Sequence, residues 1–430
     1  MSDDTPVVEG KKVCKLICVE VNHDDDVADG KAKQSNKFYN MYEQSDGTFI
    51  TERGRIDGAV ASDTFSMDRW DSTIKKKLSG KKRYTDVTHL FAEVVDNGPS
   101  KVVDIADAPV KALMDKLQRF ANHSIEENYT VSSKAVTQKQ IDEAQAALDA
   151  IAEATKLRRD VKALNDSFID LFHIIPRRMK DVRDHLFDGD KINKALLPNI
   201  QRAISDEQDT LDVMAGQVLI NDGSNEVKED DTQHQDLLTM LGLEVVVGSQ
   251  EDWDYVQEKM GANAHQVKAV HMIKHLATEK RFDAKVESSD DQHVRHFFHG
   301  SRNQNWLNII STGLMIRPTG AIHTGSMFGD GIYFADKAQK SIGYSSFNGY
   351  WTAGGSDSTA YLAMFAVHTG NWKKIRNHSR DCYSLSESVL KREGYDSVFA
   401  QGGADLRNNE YIVYNGNQCT ISHLIEIGIG

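Results

Sequence analysis

The apolar residues of this 430-residue chain change their spacing twice, and that change limits the fold more tightly than any single motif. Residues 12–21 (KVCKLICVEV) alternate and are rich in Val and Ile, which predicts a strand. KFYNMYE at 37–43 predicts a second strand, SDG at 45–47 a hairpin turn, TFITERGRI a third strand, and residues 67–78 a helix. From about residue 100 the period becomes helical. Asp107 can cap a helix with Pro109 in its first turn and Val110, Leu113, Leu117 and Phe120 on one face. Thr137 and Gln140 form a capping box that opens a helix with Ile141, Ala144, Leu148 and Ile151 inward. Leu164, Phe168, Leu171 and Ile175 mark a third stripe, stopped by Pro176, and a further helix is expected over 206–220. The polar, acidic stretch 221–236 reads as a linker. Beyond it the texture returns to strands, at 243–248, 267–276, 293–301, 331–336, 358–370 and 410–427, with many glycines between. This length allows about three domains of about 150 residues.

Composition narrows the class. Apolar stretches such as Leu243–Val247 fall far short of a membrane span, so no membrane partner is expected. The first ten residues, MSDDTPVVEG, are acidic and polar, unlike a secretory signal, which places the chain inside a cell. Cys14, Cys18, Cys382 and Cys419 have no zinc-ligand spacing, so reduced thiols and no metal are expected. A net charge of −13 argues against indiscriminate nucleic-acid binding, yet residues 31–90 hold 12 Lys/Arg against 8 Asp/Glu. A basic module on an acidic body can lay one face on phosphates.

Three short motifs of the last region fit one another: HGS at 299–301 ending an apolar strand, GIYFAD at 331–336 after the glycine-rich loop TGSMFGDG, and NNEYIVYN at 408–415 with a glutamate before a strand. Singly each is weak, and the glycine loop lacks the strand–GxGxxG–helix context of a dinucleotide fold. Together, in order and spacing, they make residues 236–430 resemble the catalytic domain of the poly(ADP-ribose) polymerase family. His299, Tyr333 and Glu410 stand where that family has its His-Tyr-Glu triad, and Ser341 and Tyr344 in KSIGY at its nicotinamide grip. VTQKQIDEAQAALDAIAE at 136–153 and SFIDLFHIIPR at 167–177 are similar to the family's helical regulatory domain, and residues 10–95 to its WGR module. The resemblance implies a multidomain α+β chain without zinc fingers. Its parts would be a small antiparallel WGR-like sheet at 1–98, a helical bundle regulatory domain at 99–230 and a mixed α/β ADP-ribosyltransferase domain at 231–430.

The reaction this implies is cleavage of NAD⁺, used as substrate and without a metal. Breaking the nicotinamide–ribose bond leaves positive charge on the ribose, which a preorganised carboxylate stabilises. The resemblance gives that role to Glu410, which would accept a hydrogen bond from the nicotinamide-ribose 2′-hydroxyl. Tyr344 would stack on the nicotinamide, with Tyr333 nearby, and the Gly300 backbone and Ser341 hydroxyl would meet its carboxamide. His299 would hold the adenine-side ribose, Ser301 and Asn305 would touch the adenosine half, and the loop 313–331 would line that pocket, with Met327 toward the acceptor.

The chain departs from the family in places. Arg53-Gly54-Arg55 stands where the family has Trp-Gly-Arg, so arginine replaces the tryptophan that packs at a DNA end, though arginine still pairs with phosphate. Lys75, Lys76 and Lys81 add cations for DNA contact. Asn408 replaces a tyrosine of several polymerising members, Ser326 replaces an aromatic residue, and the stretch 373–407 looks short. The leading expectation is a monomeric, DNA-break-activated enzyme of the DNA damage response that modifies proteins, itself included, and extends chains. It would act in the nucleus of a eukaryote, or in the cytoplasm at the nucleoid of a bacterium. The alternatives are a mono(ADP-ribosyl)transferase, favoured by Asn408, and a catalytically silent DNA-binding scaffold, against which the intact triad speaks.

Overall fold

The computed structural model describes residues 7–8, 11–22, 33–56, 58–80, 84–90, 104–128, 136–157, 160–225, 236–316, 327–347 and 358–428. The chain divides into two compact units, Met1–Pro99 with Ser124–Val218 and Ser100–His123 with Leu219–Gly430. The helical stretch expected as one regulatory domain is thus shared between them.

In the first unit, strands β1 (Val7–Val8), β2 (Lys11–Asn22), β3 (Lys33–Glu43), β4 (Thr48–Arg55) and β5 (Val60–Ser66) pair antiparallel in that order. Helix α1 (Trp70–Leu78) follows, and β6 (Thr85–Asp86) pairs with β2. The alternation of β2 sends Cys14 and Leu16 into one core with Tyr39, Met41, Phe49 and Trp70. The SDG hairpin forms as expected, with Gly47 at φ +79° and the Asp46 carboxylate accepting from the Thr48 amide at 3.0 Å.

Helix α2 (Ala108–Asn128) starts at the expected cap, where Asp107 Oδ1 accepts from the Val110 amide at 3.1 Å. Val110, Leu113 and Leu117 are buried with Met114, whereas Phe120 is only half-buried. Its first turns belong to the second unit, where Lys116 Nζ donates to Glu426 at 2.8 Å. Helices α3 (Gln138–Lys156) and α4 (Val161–Ile174) belong to the first unit, and the capping box at Thr137 is complete. The imidazole of His173 on α4 accepts from the Val19 amide of β2 at 3.1 Å. Helix α5 (Leu197–Asn225) begins well before the expected 206 and runs into the expected linker. Pro198 signals a break in the sequence, but in a first turn its missing N–H has no partner to lose. The rest of that linker, 226–235, lies outside the described residues.

The second unit holds α6 (Leu237–Met240), β7 (Leu243–Val247), α7 (Gln250–Met260), β8 (Val267–His275), α8 (Leu276–Glu287), β9 (Val294–Gly300) and α9 (Trp306–Thr312). After the loop come β10 (Ile332–Phe334), α10 (Ala338–Ile342), β11 (Thr359–His368), β12 (Trp372–Ile375), α11 (Glu387–Arg392), β13 (Ser397–Ala400), β14 (Glu410–Val413) and β15 (Cys419–Gly428). They build a five-stranded antiparallel sheet, β7-β8-β15-β11-β9, and a four-stranded sheet, β10-β14-β13-β12, in which β12 and β13 are parallel. Strands β11 and β15 are the apolar centre, with Ala360, Leu362, Met364, Ile425 and Ile427 fully buried. A two-bond bridge between Phe298 and Ala335 joins the sheets, at 2.8 and 3.0 Å. Every strand expected after residue 240 is present. Among the described residues no helix is long and apolar enough to cross a membrane.

Candidate active site

The bridge between the two sheets is where the candidate residues meet. His299, next to last on β9, lies one residue from it, and its Nδ1 stands 3.0 Å from the Tyr333 carbonyl of β10. A carbonyl only accepts, so Nδ1 carries the proton. Burial holds the imidazole pKa below the usual histidine value. The neutral ring is therefore left with Nε2 as an acceptor, suited to a hydroxyl donor. Phe334 and Phe365 pack edge-on against it, with ring centroids 5.9 and 6.0 Å away.

Gly300 follows. A β-carbon here would stand 2.0 Å from the Ser341 carbonyl oxygen, so only glycine lets α10 lie this close to β9. The close approach expected of a ligand is thus first made by the chain's own backbone. It brings Ser341, buried at 3% exposure, beside Gly300, and Tyr344 follows one turn later, half-buried. Burial, and then the Glu410 charge, push the Tyr344 phenol pKa up, so the ring stays neutral.

Glu410 opens β14 opposite Ala400 and is buried at 7% exposure. One carboxylate oxygen is ion-paired with Lys340 of α10, itself largely buried. The other, Oε2, is buried with no hydrogen-bond partner among the described residues. An orphaned anionic acceptor is costly unless a donor arrives. Sequence reasoning missed Lys340. It stands one residue before Ser341, but a lysine in a short helix reads as solvated.

Tyr333 contributes its ring more than its hydroxyl. The phenol donates to the Gly329 carbonyl at 2.8 Å and accepts from the Phe328 amide at 3.0 Å. This fixes the turn 327–331, in which Gly329 has φ +76° and would clash with the Leu385 carbonyl if it bore a side chain. The Met327 carbonyl accepts from His378 at 2.8 Å. Burial raises the Tyr333 pKa strongly. Ser301 and Asn305 also stand together: Asn305 Nδ2 donates to Ser301 Oγ at 3.0 Å, and Asn305 Oδ1 is buried without a partner among the described residues. Residues 317–326 of the lining loop, Ser326 included, lie outside the described residues. Asn408 is half-buried on the approach to Glu410.

The acceptors with no partner among the described residues, Glu410 Oε2 and His299 Nε2, suit a molecule with two hydroxyl-bearing rings, and Gly300, Ser341 and Tyr344 suit a flat amide-bearing ring. NAD⁺ has that donor set. No group of three or more His, Cys, Asp or Glu side chains that could hold a metal is found among the described residues.

In the N-terminal unit, Arg53 is ion-paired with Asp63, and Arg55 donates to the Lys180 carbonyl at 2.8 Å. Between them Gly54 is required, since a β-carbon would stand 2.4 Å from the Ala59 carbonyl oxygen. Lys75 and Lys76 are exposed on α1, and Lys81 lies outside the described residues.

Residues 250–429 match the family described as poly(ADP-ribose) polymerase catalytic domain. A poly [ADP-ribose] polymerase-like protein, 100L, of Invertebrate iridescent virus 6 is 30% identical over 162 residues, covering 37% of this chain and 84% of its own. Human poly [ADP-ribose] polymerase 2 is 30% identical over 167 residues, 32% of this chain and 27% of its own. The Drosophila melanogaster poly [ADP-ribose] polymerase is 28% identical over 191 residues, 36% of this chain and 19% of its own.

Proposed function

The chain belongs to the poly(ADP-ribose) polymerase family and is an NAD⁺ ADP-ribosyltransferase; from there we propose that it is activated by DNA breaks, modifies protein side chains including its own, and extends the product into chains. The observation that carries the chemistry is the buried Glu410 carboxylate, held by Lys340 through one oxygen and without a partner among the described residues at the other. Oε2 accepts the ribose 2′-hydroxyl and stabilises the positive charge that grows as nicotinamide leaves. The Lys340 ammonium keeps the carboxylate in place for that purpose. His299 Nε2 accepts the hydroxyl of the second ribose. Gly300, Ser341 and Tyr344 hold the leaving ring.

Chain extension is supported by the complete His299-Tyr333-Glu410 set. Activation by DNA is supported by the exposed Lys75 and Lys76 and by the basic balance of residues 31–90. Arg53 and Arg55 already hold partners within their unit, so the α1 lysines carry more of the proposed phosphate contact. Asn408 favours a second reading, transfer of single units.

The test is labelled NAD⁺ turnover by the full chain, with and without nicked DNA, beside Glu410→Gln. Nicotinamide release is expected to rise with DNA and to fall about 10²–10³-fold in the variant. Turnover indifferent to DNA would overturn the activation, and turnover indifferent to Glu410→Gln would overturn the assigned chemistry. On a gel, automodified protein runs as a smear if chains grow and as one shifted band if single units are added.

A further inference from the structure

The two halves of the site lie on separate stretches of chain. Tyr333, Lys340, Ser341 and Tyr344 come from β10, α10 and the turn after it, whereas Glu410 opens β14. Strand pairing of β10 with β14 begins only at Phe334–Tyr411, one residue beyond Glu410. Glu410 itself is paired with Ala400 of β13 and ion-paired with Lys340, and a further side-chain bond ties the residue before it to the start of α10. Asn409 Nδ2 donates to Asp336 Oδ2 at 2.7 Å, and Asn409 Oδ1 accepts from the Gly402 amide at 2.9 Å. Both ends of the amide are thus engaged, so its orientation is determined: turned over, it would set N–H against N–H and oxygen against carboxylate.

Asp336 occupies the junction between β10 and α10. Its neighbour Ala335 makes the two-bond bridge to Phe298 on β9. Its second oxygen, Oδ1, is buried with no hydrogen-bond partner among the described residues, so the Asn409 bond matters more to this carboxylate than a surface bond would. On the other side Gly402 is pressed against the Asn408 backbone, where a β-carbon would come within 2.8 Å.

We propose that Asp336 and Asn409 are positioning residues that lock the segment bearing Glu410 to the segment bearing Lys340 and Ser341, and so hold the carboxylate at the ribose while the nicotinamide grip stands on its own. Neither side chain needs to touch the substrate. The proposal rests on the NAD⁺-cleaving reading of the site. Its consequence is a split: loosening the lock lowers kcat, while binding of the flat ring changes little.

The pair can be broken and remade. Asn409→Asp sets two carboxylates against each other. Asp336→Asn with Asn409→Asp reverses the polarity, so that the new amide donates to the new carboxylate, which still accepts from Gly402. For N409D, kcat for nicotinamide release is expected to fall about 10²-fold with KM for NAD⁺ within about threefold of the parent, the usual cost of a misplaced reacting group. Binding of benzamide, a probe of the nicotinamide grip, is expected to be unchanged, and the double variant to recover most of the lost kcat. Asn409→Ala breaks the bond without adding charge and takes over the test if melting curves show N409D unfolded. Normal kcat in the single variants, a double variant no better than N409D, or benzamide affinity lost in step with kcat would each overturn the proposal. An inactive parent protein in the same assay would instead overturn the chemistry assigned to the site.

Discussion

Glu410 and Lys340 form an ion pair in which each side chain is at least 85% shielded from water, their exposures being 10% and 15%. Such a pair is a weak source of net stability, but removing one partner strands the other charge. Lys340→Met should therefore cost about 3 kcal/mol in urea unfolding and lower nicotinamide release as well, because the carboxylate is no longer held. Adding Glu410→Gln to Lys340→Met should return most of the stability and none of the activity. Additive stability losses in that cycle would show that the two side chains do not interact as the structure places them. Lys340 also marks what the sequence could disclose. His299, Tyr333, Ser341, Tyr344 and Glu410 were legible because their chemical types recur at a known order and spacing. Lys340 and Asp336 lie within the same short stretch, but their roles depend on burial and on partners about 70 residues away, which no local pattern carries.

At the scale of elements, the ends of helices were the most legible features, because capping residues act locally. Thr137 Oγ1 accepts from the Gln140 amide at 3.2 Å and donates to the Leu90 carbonyl at 2.8 Å, so it both opens α3 and ties it to the end of the N-terminal sheet region. Thr137→Ala should lower stability by about 1 kcal/mol for the cap and somewhat more for the second bond, read as a shifted urea midpoint with unchanged slope. A loss below about 0.3 kcal/mol would mean that the box frays in solution. The strands of both sheets were legible from Val, Ile and aromatic alternation. The early start of α5 was not, because Pro198 reads as a breaker until its position in the first turn is known. The partition of the helical stretch was equally hidden: α2 has an ordinary amphipathic pattern, and nothing local says that Lys116 will reach Glu426, where the Tyr361 hydroxyl also donates at 3.1 Å.

At the scale of the whole molecule, the acidic net charge is less telling than the titration of its buried and half-buried histidines. In the first unit His173 and His185, and in the second His271, His275, His299 and His423, all have pKa values held below the usual one, chiefly by burial. For His423 the value falls to about 4, where the neighbouring His296 adds to the effect of burial. Above the unfolded value of about 6.5, folded and unfolded chains bind the same number of protons at these sites and the histidines do not bias folding. As the pH falls below that value, the unfolded chain takes up protons that the folded chain refuses, so stability drops until the folded values are passed. Carboxylates held low by hydrogen bonds, such as Asp252 beside Ser249, follow the same sign but only as the pH falls through the carboxylate range. Acid destabilisation should therefore begin between pH 6.5 and 6, well ahead of the carboxylates, and should reach both units because each carries such histidines. His423→Gln should remove at most about 3 kcal/mol of the loss between pH 6.5 and 4, flattening the urea midpoint across that window relative to the parent. A midpoint that stays level down to pH 5 would mean that these imidazoles are reached by water and protonate in the folded protein.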